Sequence, residues 1–313
     1  MTTRLFGSGI RRREDPRLIT GASTYTDDVK LPGMVYAAIL RSPHAHARIT
    51  GINTSAAQAA PGVLAVYTGA DTDGVLNSLP CAWVVPDSDA KTVPHLPLAK
   101  DVVRYQGDGV AVVVAETRYQ AEDALELISV DYQPLPAVVN PEEAFQPGAP
   151  QIHEEAPNNQ AFHWVAAGGD VDAAFASAEV VVRDTIRQQK LIPNAVEPRS
   201  AVASWLASMG ELTLWSSSQN PHIARFLTSL VTGLPEHKIR VIAPEVGGGF
   251  GSKLPLYADE MVATFCAMKL GRPVKWTETR SENFQATLHG RDHVEHVELA
   301  ATREGKIVGL RSV

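Results

Sequence analysis

The stretch Val246-Gly247-Gly248-Gly249-Phe250-Gly251-Ser252-Lys253 places four glycines in five consecutive positions. Glycine lets a backbone approach a ligand closely and adopt positive φ. Successive N–H groups in such a loop can face an anionic or strongly polar atom. An apolar run at 239–243 before the loop reads as a strand. The run 256–270 after it reads as the longest helix, stopped by Gly271 with Pro273 beyond. A helix opening just past the loop would turn its positive end toward the same ligand. Three familiar motifs fit poorly. A P-loop ends Gly-Lys-Ser/Thr, whereas Ser252 separates Gly251 from Lys253. The dinucleotide fingerprint fails because Ser252 stands where its last glycine belongs. No serine nucleophile elbow is formed. A backbone cradle for a ligand and a plain glycine turn both remain open.

Upstream lies Ser216-Ser217-Ser218-Gln219-Asn220-Pro221, where a strand gives way to a helix over 221–232 with Gly233 past its end. Gln219 can direct its amide into a site. Ser218 or Asn220 can equally cap the helix. The tripeptide Glu197-Pro198-Arg199 reads as a turn whose opposed charges pair locally. His289, His293 and His296 would align on a helix as a metal face. Their segment carries strand signals, which turn 293 and 296 to opposite sides, so no metal site is expected there. His44 and His46 share one strand face across Ala45, but lack a third ligand.

Outward from these, strands are expected at 35–40, 63–67, 109–115, 130–132, 180–187 and 274–277, and hairpins at 201–217 and 293–313. Helices are expected at 54–60, at 117–128 with Thr117 as cap, and at 171–178 with Asp170 as cap. Residues 70–100 read as a long irregular connection. Prolines at 134, 136, 141, 147, 150 and 157 mark the best linker. The resulting division is an N-terminal arm (1–20), a first domain (21–135), a linker (136–160) and a second unit (161–313). The last hairpin runs straight into Val313, so the chain is expected to be the N-terminal part of a longer polypeptide or to be continued by a partner.

The chain has 313 residues, 44% hydrophobic and 20% charged, which is enough to bury a sizeable core. Its 28 Lys and Arg against 35 Asp and Glu give a net charge of −7. That argues against a nucleic-acid partner, whose phosphates need clustered cations. No apolar run is long enough for a membrane span. The two cysteines, Cys81 and Cys266, exclude a disulfide framework and an iron–sulfur cluster within these residues. Both thiols are expected to be buried and inert. Arg11-Arg12-Arg13 leads into Glu14-Asp15-Pro16 instead of an apolar stretch, so no secretory signal is read and cytoplasmic residence is expected.

Three stretches together resemble the N-terminal part of the molybdenum-binding large subunit of the xanthine dehydrogenase/aldehyde oxidase family, in its carbon monoxide dehydrogenase-like branch. The segment Arg12-Arg13-Glu14-Asp15-Pro16-Arg17-Leu18-Ile19-Thr20-Gly21, with Tyr25-Thr26-Asp27-Asp28, resembles the family's entry segment. Arg41-Ser42-Pro43-His44-Ala45-His46-Ala47 resembles the first strand and turn of its α/β-hammerhead domain. Gln219 and Gly248-Gly249-Phe250-Gly251 resemble its two cofactor motifs, in the right order.

The resemblance implies an α+β fold: an α/β-hammerhead domain followed by the first part of a molybdopterin-binding domain. It implies a molybdenum–molybdopterin cofactor, in the cytosine dinucleotide form, whose metal is held through the pterin and by no side chain. Gln219, Gly248, Gly249, Phe250 and Gly251 would bind that cofactor, with N–H groups of Gly249, Phe250 and Gly251 as contacts. Phe250 would also shape the substrate's approach. The implied activity is hydroxylation of an aldehyde, CO or an N-heterocycle with water-derived oxygen. Electrons would pass to a 2Fe–2S small subunit and an FAD-binding medium subunit. Leu254 stands where purine-oxidising members carry a glutamate, which disfavours purines. No catalytic residue is expected within these 313 residues; the base and the substrate-side loop are expected beyond Val313, so the chain alone would be inactive. The competing expectations are a non-catalytic remnant or interface subunit of such a complex, and a nucleotide-binding protein using the glycine loop.

Overall fold

The computed structural model describes residues 6–81 and 86–313. Residues 1–5 of the expected arm and 82–85 of the expected 70–100 connection lie outside the described residues. The strands are β1 (Val35–Arg41), β2 (Ala47–Asn53), β3 (Val63–Thr68), β4 (Val102–Val103), β5 (Gly109–Ala115), β6 (Ser129–Pro134), β7 (Val180–Gln188), β8 (Ser200–Leu206), β9 (Glu211–Ser216), β10 (Ile239–Ile242), β11 (Val274–Thr277), β12 (His293–Ala301) and β13 (Ile307–Ser312). The α-helices are α1 (Asp15–Ile19), α2 (Ser55–Gln58), α3 (Gly69–Thr72), α4 (Arg118–Leu125), α5 (Pro141–Ala144), α6 (Val171–Ser177), α7 (Pro221–Thr232), α8 (Ala258–Leu270) and α9 (Arg280–Ala286).

One seven-stranded sheet, in the order β10-β9-β8-β11-β1-β5-β3, carries the architecture. It joins strands from both sides of the proline-rich connection. β1 runs parallel to β11, with Val35 opposite Val274 and Ala37 opposite Trp276. Side chains alternate between the faces of a strand, and two cores follow from that. Ala37, Ile39, Val112 and Val114, with Trp276 beside them on β11, form one core with Met261 and Phe265 of α8. Ala38, Val113 and Ala115 face Ala121 and Ala124 of α4. Covered on both sides, β5 (GVAVVVA) is buried at all seven positions, which is why it reads as an unbroken apolar run. Two three-stranded sheets, β4-β2-β6 and β13-β12-β7, are also present.

Three expected helix starts hold, while α2 ends at Gln58 and α4 at Leu125, short of the expected 60 and 128. Thr117 accepts from Gln120 N–H at 3.3 Å, Asp170 from Ala173 N–H at 2.9 Å and Asn220 from Ile223 N–H at 3.4 Å. Gly233 and Gly271 close α7 and α8 in the left-handed conformation. Other features depart from expectation. His44 and His46 precede β2 in irregular backbone and share no strand face. The His46 ring bonds Pro136 C=O at 2.7 Å, and the His44 ring packs edge-on to Tyr132. The connection over 136–160 is tied down: Asn159 Nδ2 donates to the carbonyls of Ala144 and Pro150, each at 3.0 Å, and Arg187 pairs with Glu142. Cys81 is exposed because it sits in irregular chain, whereas Cys266 is buried in α8, where burial pushes its thiol pKa up. No helix among the described residues is long and apolar enough to cross a membrane.

Candidate functional site: a pinned glycine loop facing Gln219

The end of β9 and the start of α7 set the first half of the site. Ser216 donates to Glu260, and Ser217 Oγ accepts from Ser200 N–H at 3.0 Å. Ser218 Oγ accepts from Asn220 N–H at 3.0 Å. These three serines are buried and Asn220 caps the helix, so capping is taken up by the neighbours of Gln219. Gln219 itself is exposed.

Gln219 faces the glycine loop. Its N–H donates to Lys253 C=O at 2.8 Å. Its Oε1 accepts from Gly251 N–H at 3.0 Å and from Lys253 N–H at 3.3 Å. Two backbone donors can only meet an oxygen, so they fix which way the amide points. Nε2, with its two hydrogens, is left without a protein acceptor among the described residues. The N–H groups of Gly248, Gly249 and Phe250 likewise have none. Gly251 departs from expectation, because Gln219 already takes its N–H.

A second pin lies deeper. Glu197 Oε2 accepts from Gly247 N–H at 2.6 Å and from Lys253 Nζ at 2.7 Å. One carboxylate therefore grips both ends of the loop. The Lys253 side chain is 1% exposed. Burial pulls its pKa down, and the pairing with Glu197 restores part of that. Glu197 Oε1 is buried and has no partner. The turn of Ser252 onto Gly249 C=O, through both N–H and Oγ at 2.9 Å, closes the loop from within.

Glycine is required where this packing is tightest. A Cβ on Gly247 would stand 2.5 Å from Glu197 Cβ, and one on Gly249 2.3 Å from Gln219 Oε1. Gly248 and Gly251 have φ of +98° and +97°. Phe250 has φ of +53° and is 75% exposed. That conformation costs a non-glycine residue about 1–2 kcal/mol. It is held here by the pins on either side, and it sets the aromatic ring outward.

Behind the loop runs a buried ladder of charges. Arg199 pairs with Asp259 at 2.8 Å and its Nε donates to Glu278 at 3.0 Å, while its guanidinium lies 3.9 Å over the Tyr257 ring. Arg41 reaches Asp259 at 2.7 Å and Glu282 at 3.0 Å. Burial acts to raise the Asp259 pKa, but Arg41 and Arg199 outweigh it and the carboxyl sits below its usual range. Tyr257 OH donates to Ser252 C=O at 2.6 Å, and burial pushes its pKa up to about 12. The expected local pairing of Glu197 with Arg199 is absent. Proline between them turns the two side chains to separate partners, Lys253 and the ladder.

The expected assistance from the α8 dipole is also absent. Residues 252–257 intervene between loop and helix, and Glu260 Oε2 occupies the first free N–H, that of Tyr257, at 2.9 Å. Lys253 is locked onto Glu197, so it is not offered to a phosphate as a P-loop lysine is. The three C-terminal histidines do not converge. The His289 ring bonds Phe284 C=O at 3.1 Å, and that of His296 bonds Thr185 Oγ1 at 3.0 Å. The sequence reading missed the Glu197–Lys253 pin and Arg280, which holds the 194–196 segment through Asn194 Oδ1 and Ala195 C=O, each at 2.6 Å. The signal for α9, the capping box Thr279-Arg280-Ser281-Glu282, was there to be read.

Residues 20–136 match the family model for the aldehyde oxidase and xanthine dehydrogenase a/b hammerhead domain. Residues 152–313 match that for the molybdopterin cofactor-binding domain. The chain belongs to the xanthine dehydrogenase/aldehyde oxidase family. It is 44% identical to the carbon monoxide dehydrogenase large chain of Afipia carboxidovorans, over 98% of this chain and 39% of that one. It is 38% identical to the nicotine 6-hydroxylase large subunit of Paenarthrobacter nicotinovorans, over 100% of this chain and 38% of that one. The fold superimposes on quinoline 2-oxidoreductase from Pseudomonas putida 86 with a TM-score of 0.88 at 37% identity, over 98% of this chain and 38% of that one. The hammerhead domain is thus followed by a molybdopterin-binding domain, and this member of the family spans under two-fifths of the length of these relatives.

Proposed function

We propose that Gln219 and the Gly248–Gly251 loop form one wall of a molybdopterin site in a molybdenum hydroxylase. The observation that carries this reading is the division of labour at Gln219. Its oxygen is committed to the loop, and its Nε2 stands free beside three free consecutive N–H groups. The residues present fit the cofactor: a glycine-lined cradle that a Cβ would fill, donors without acceptors, and an exposed Phe250. When bound, the molybdopterin cofactor supplies the centre for oxygen transfer and two-electron oxidation. Gln219 Nε2 and the Gly249 and Phe250 N–H groups would hold it as hydrogen-bond donors. Glu197 and Lys253 hold those donors in place before the ligand arrives. Preorganised donors of this kind stabilise developing charge by about 2–4 kcal/mol each. Gly248 belongs to the same wall, and Gly251 contributes through its bond to Gln219. The Phe250 ring narrows the approach to the site.

The substrate class in this reading is an aldehyde, CO or an N-heterocycle, in line with the relatives' names. Leu254, 47% exposed just past the loop, offers no carboxylate to a purine. Residues outside these 313 supply the catalytic base. An FAD-binding medium subunit and a 2Fe–2S small subunit take the electrons, and the cofactor carries a cytosine dinucleotide. The assembly is cytoplasmic, and the unit boundaries are 21–135, 136–160 and 161–313. The test is co-expression and purification of the complex, followed by molybdenum and pterin analysis and turnover with an artificial acceptor. The expected result is about one molybdenum per large subunit, and turnover lowered at least tenfold in Gln219→Ala. A complex without stoichiometric molybdenum is the remnant subunit instead. Wild-type turnover in Gln219→Ala removes Gln219 from the site.

A further inference from the structure

We propose that the cavity between His95, Arg104 and His153 binds the carboxylate of a small organic acid. The cavity holds about 360 Å³ and shares no residue with the glycine loop or Gln219. It lies where the 93–108 segment meets the proline-rich connection. Val93, Leu96 and Val102 give it an apolar side.

Arg104 is the centre of the argument. Its Nε donates to Ile152 C=O at 3.2 Å, which fixes the plane of the guanidinium. No carboxylate among the described residues pairs with it, and its two terminal amines are uncommitted. A half-buried guanidinium so placed presents a fork that matches a carboxylate with two parallel hydrogen bonds. His153, on the same wall, has a buried Nδ1 without a partner. The His95 ring also makes no hydrogen bond among the described residues, and stands edge-on to Tyr105. Each imidazole can donate one N–H to an oxygen. Burial, and then the Arg104 charge, hold His153 below the usual imidazole range; His95, though partly open to solvent, is also held below it by desolvation of its ring. Both rings are therefore neutral at pH 7.

The acidic groups nearby do not occupy this place. Asp108 is buried, with its carboxylate turned to Arg104 N–H at 3.2 Å and to Tyr105. Asp101 is exposed, and Lys100 is paired with Asp73 at 2.5 Å. Glu155 is exposed and acts on His153 only through its charge. One unpaired cation with two neutral donors suits a single negative charge, and the apolar side suits a hydrocarbon body. A dianionic phosphate would bring a second negative charge with no second unpaired cation among the described lining residues to answer it.

The probe is benzoate, titrated calorimetrically into the purified full chain in its assembled form, with inorganic phosphate as the second arm. One benzoate per chain is expected, with millimolar or tighter affinity and little heat from phosphate. Arg104→Met should weaken benzoate binding at least tenfold, the loss of a charge-assisted hydrogen bond. His153→Phe should weaken it about threefold. Arg104→Lys keeps the charge without the fork and should weaken it severalfold; it carries the test if the methionine variant does not fold. No binding of benzoate, equal affinity in the Arg104 variants, or preference for phosphate would each overturn the proposal.

Discussion

Gly249 and Gln219 are packed so closely that a Cβ on the glycine would stand 2.3 Å from the glutamine's Oε1 and 2.5 Å from its Cδ. The bend of the loop and the direction of the amide are therefore one piece of geometry. Gly249→Ala is expected to push Gln219 off the loop and break both of its backbone bonds. Molybdenum retained per large subunit after gel filtration should fall at least tenfold. Gly251→Ala, which meets nothing within 4 Å but has φ of +97°, should cost about 1–3 kcal/mol of local strain and retain more of the metal than Gly249→Ala.

Glu197→Gln leaves Lys253 buried without its carboxylate. Breaking one partner of a buried pair costs about 3–5 kcal/mol, read from the urea midpoint at constant slope. The double variant Glu197→Gln, Lys253→Met removes both charges and should recover much of that stability. It should not recover the metal content, because the loop has lost its deep pin.

The ladder behind the loop makes the same demand more strongly. Arg199→Met would leave Asp259 with Arg41 alone and Glu278 buried without a cation, held only by Asn283 Nδ2 and the position-199 N–H. Unfolding in urea should show a loss of about 3–5 kcal/mol. Lysine at this position should not restore it, since a single ammonium cannot reach both carboxylates and stack on Tyr257.

Burial raises the Asp108 pKa from its ordinary value to about 6. Between pH 4 and pH 6 the folded chain then holds a proton that the unfolded chain has released. Stability from this group is greatest below pH 4 and declines as the pH rises to about 6, by roughly 3 kcal/mol at most. Asp108→Asn keeps an acceptor for Arg104 N–H and should flatten that slope. Urea titrations at pH 4.5 and 6.5 check it; an unchanged slope in the variant would locate the titration elsewhere.

Local pattern made much of this fold legible. The run 109–115 is apolar because both faces of β5 are covered, and α7 announces itself through Asn220, Pro221 and Gly233. The strand β2 was harder to see, because Gly51 interrupts it where the pairing with β6 shifts register. In the site, Gln219 and the glycine loop could be read as neighbours only through the family resemblance. Glu197 and Lys253 could not be paired at all. Their contact spans more than fifty residues and depends on where the turn at Pro198 points, which periodicity does not encode.

The parallel seam between β1 and β11 also has a consequence in time. Val35 N–H bonds Pro273 C=O at 2.9 Å, a partner that leaves the ribosome roughly 240 residues later. At about 5–20 residues per second, that edge waits on the order of 10–50 seconds during synthesis with its donors and acceptors open. A nascent chain in this state is a natural client for a chaperone, and slowing translation upstream of Pro273 should lower the yield of correctly folded protein.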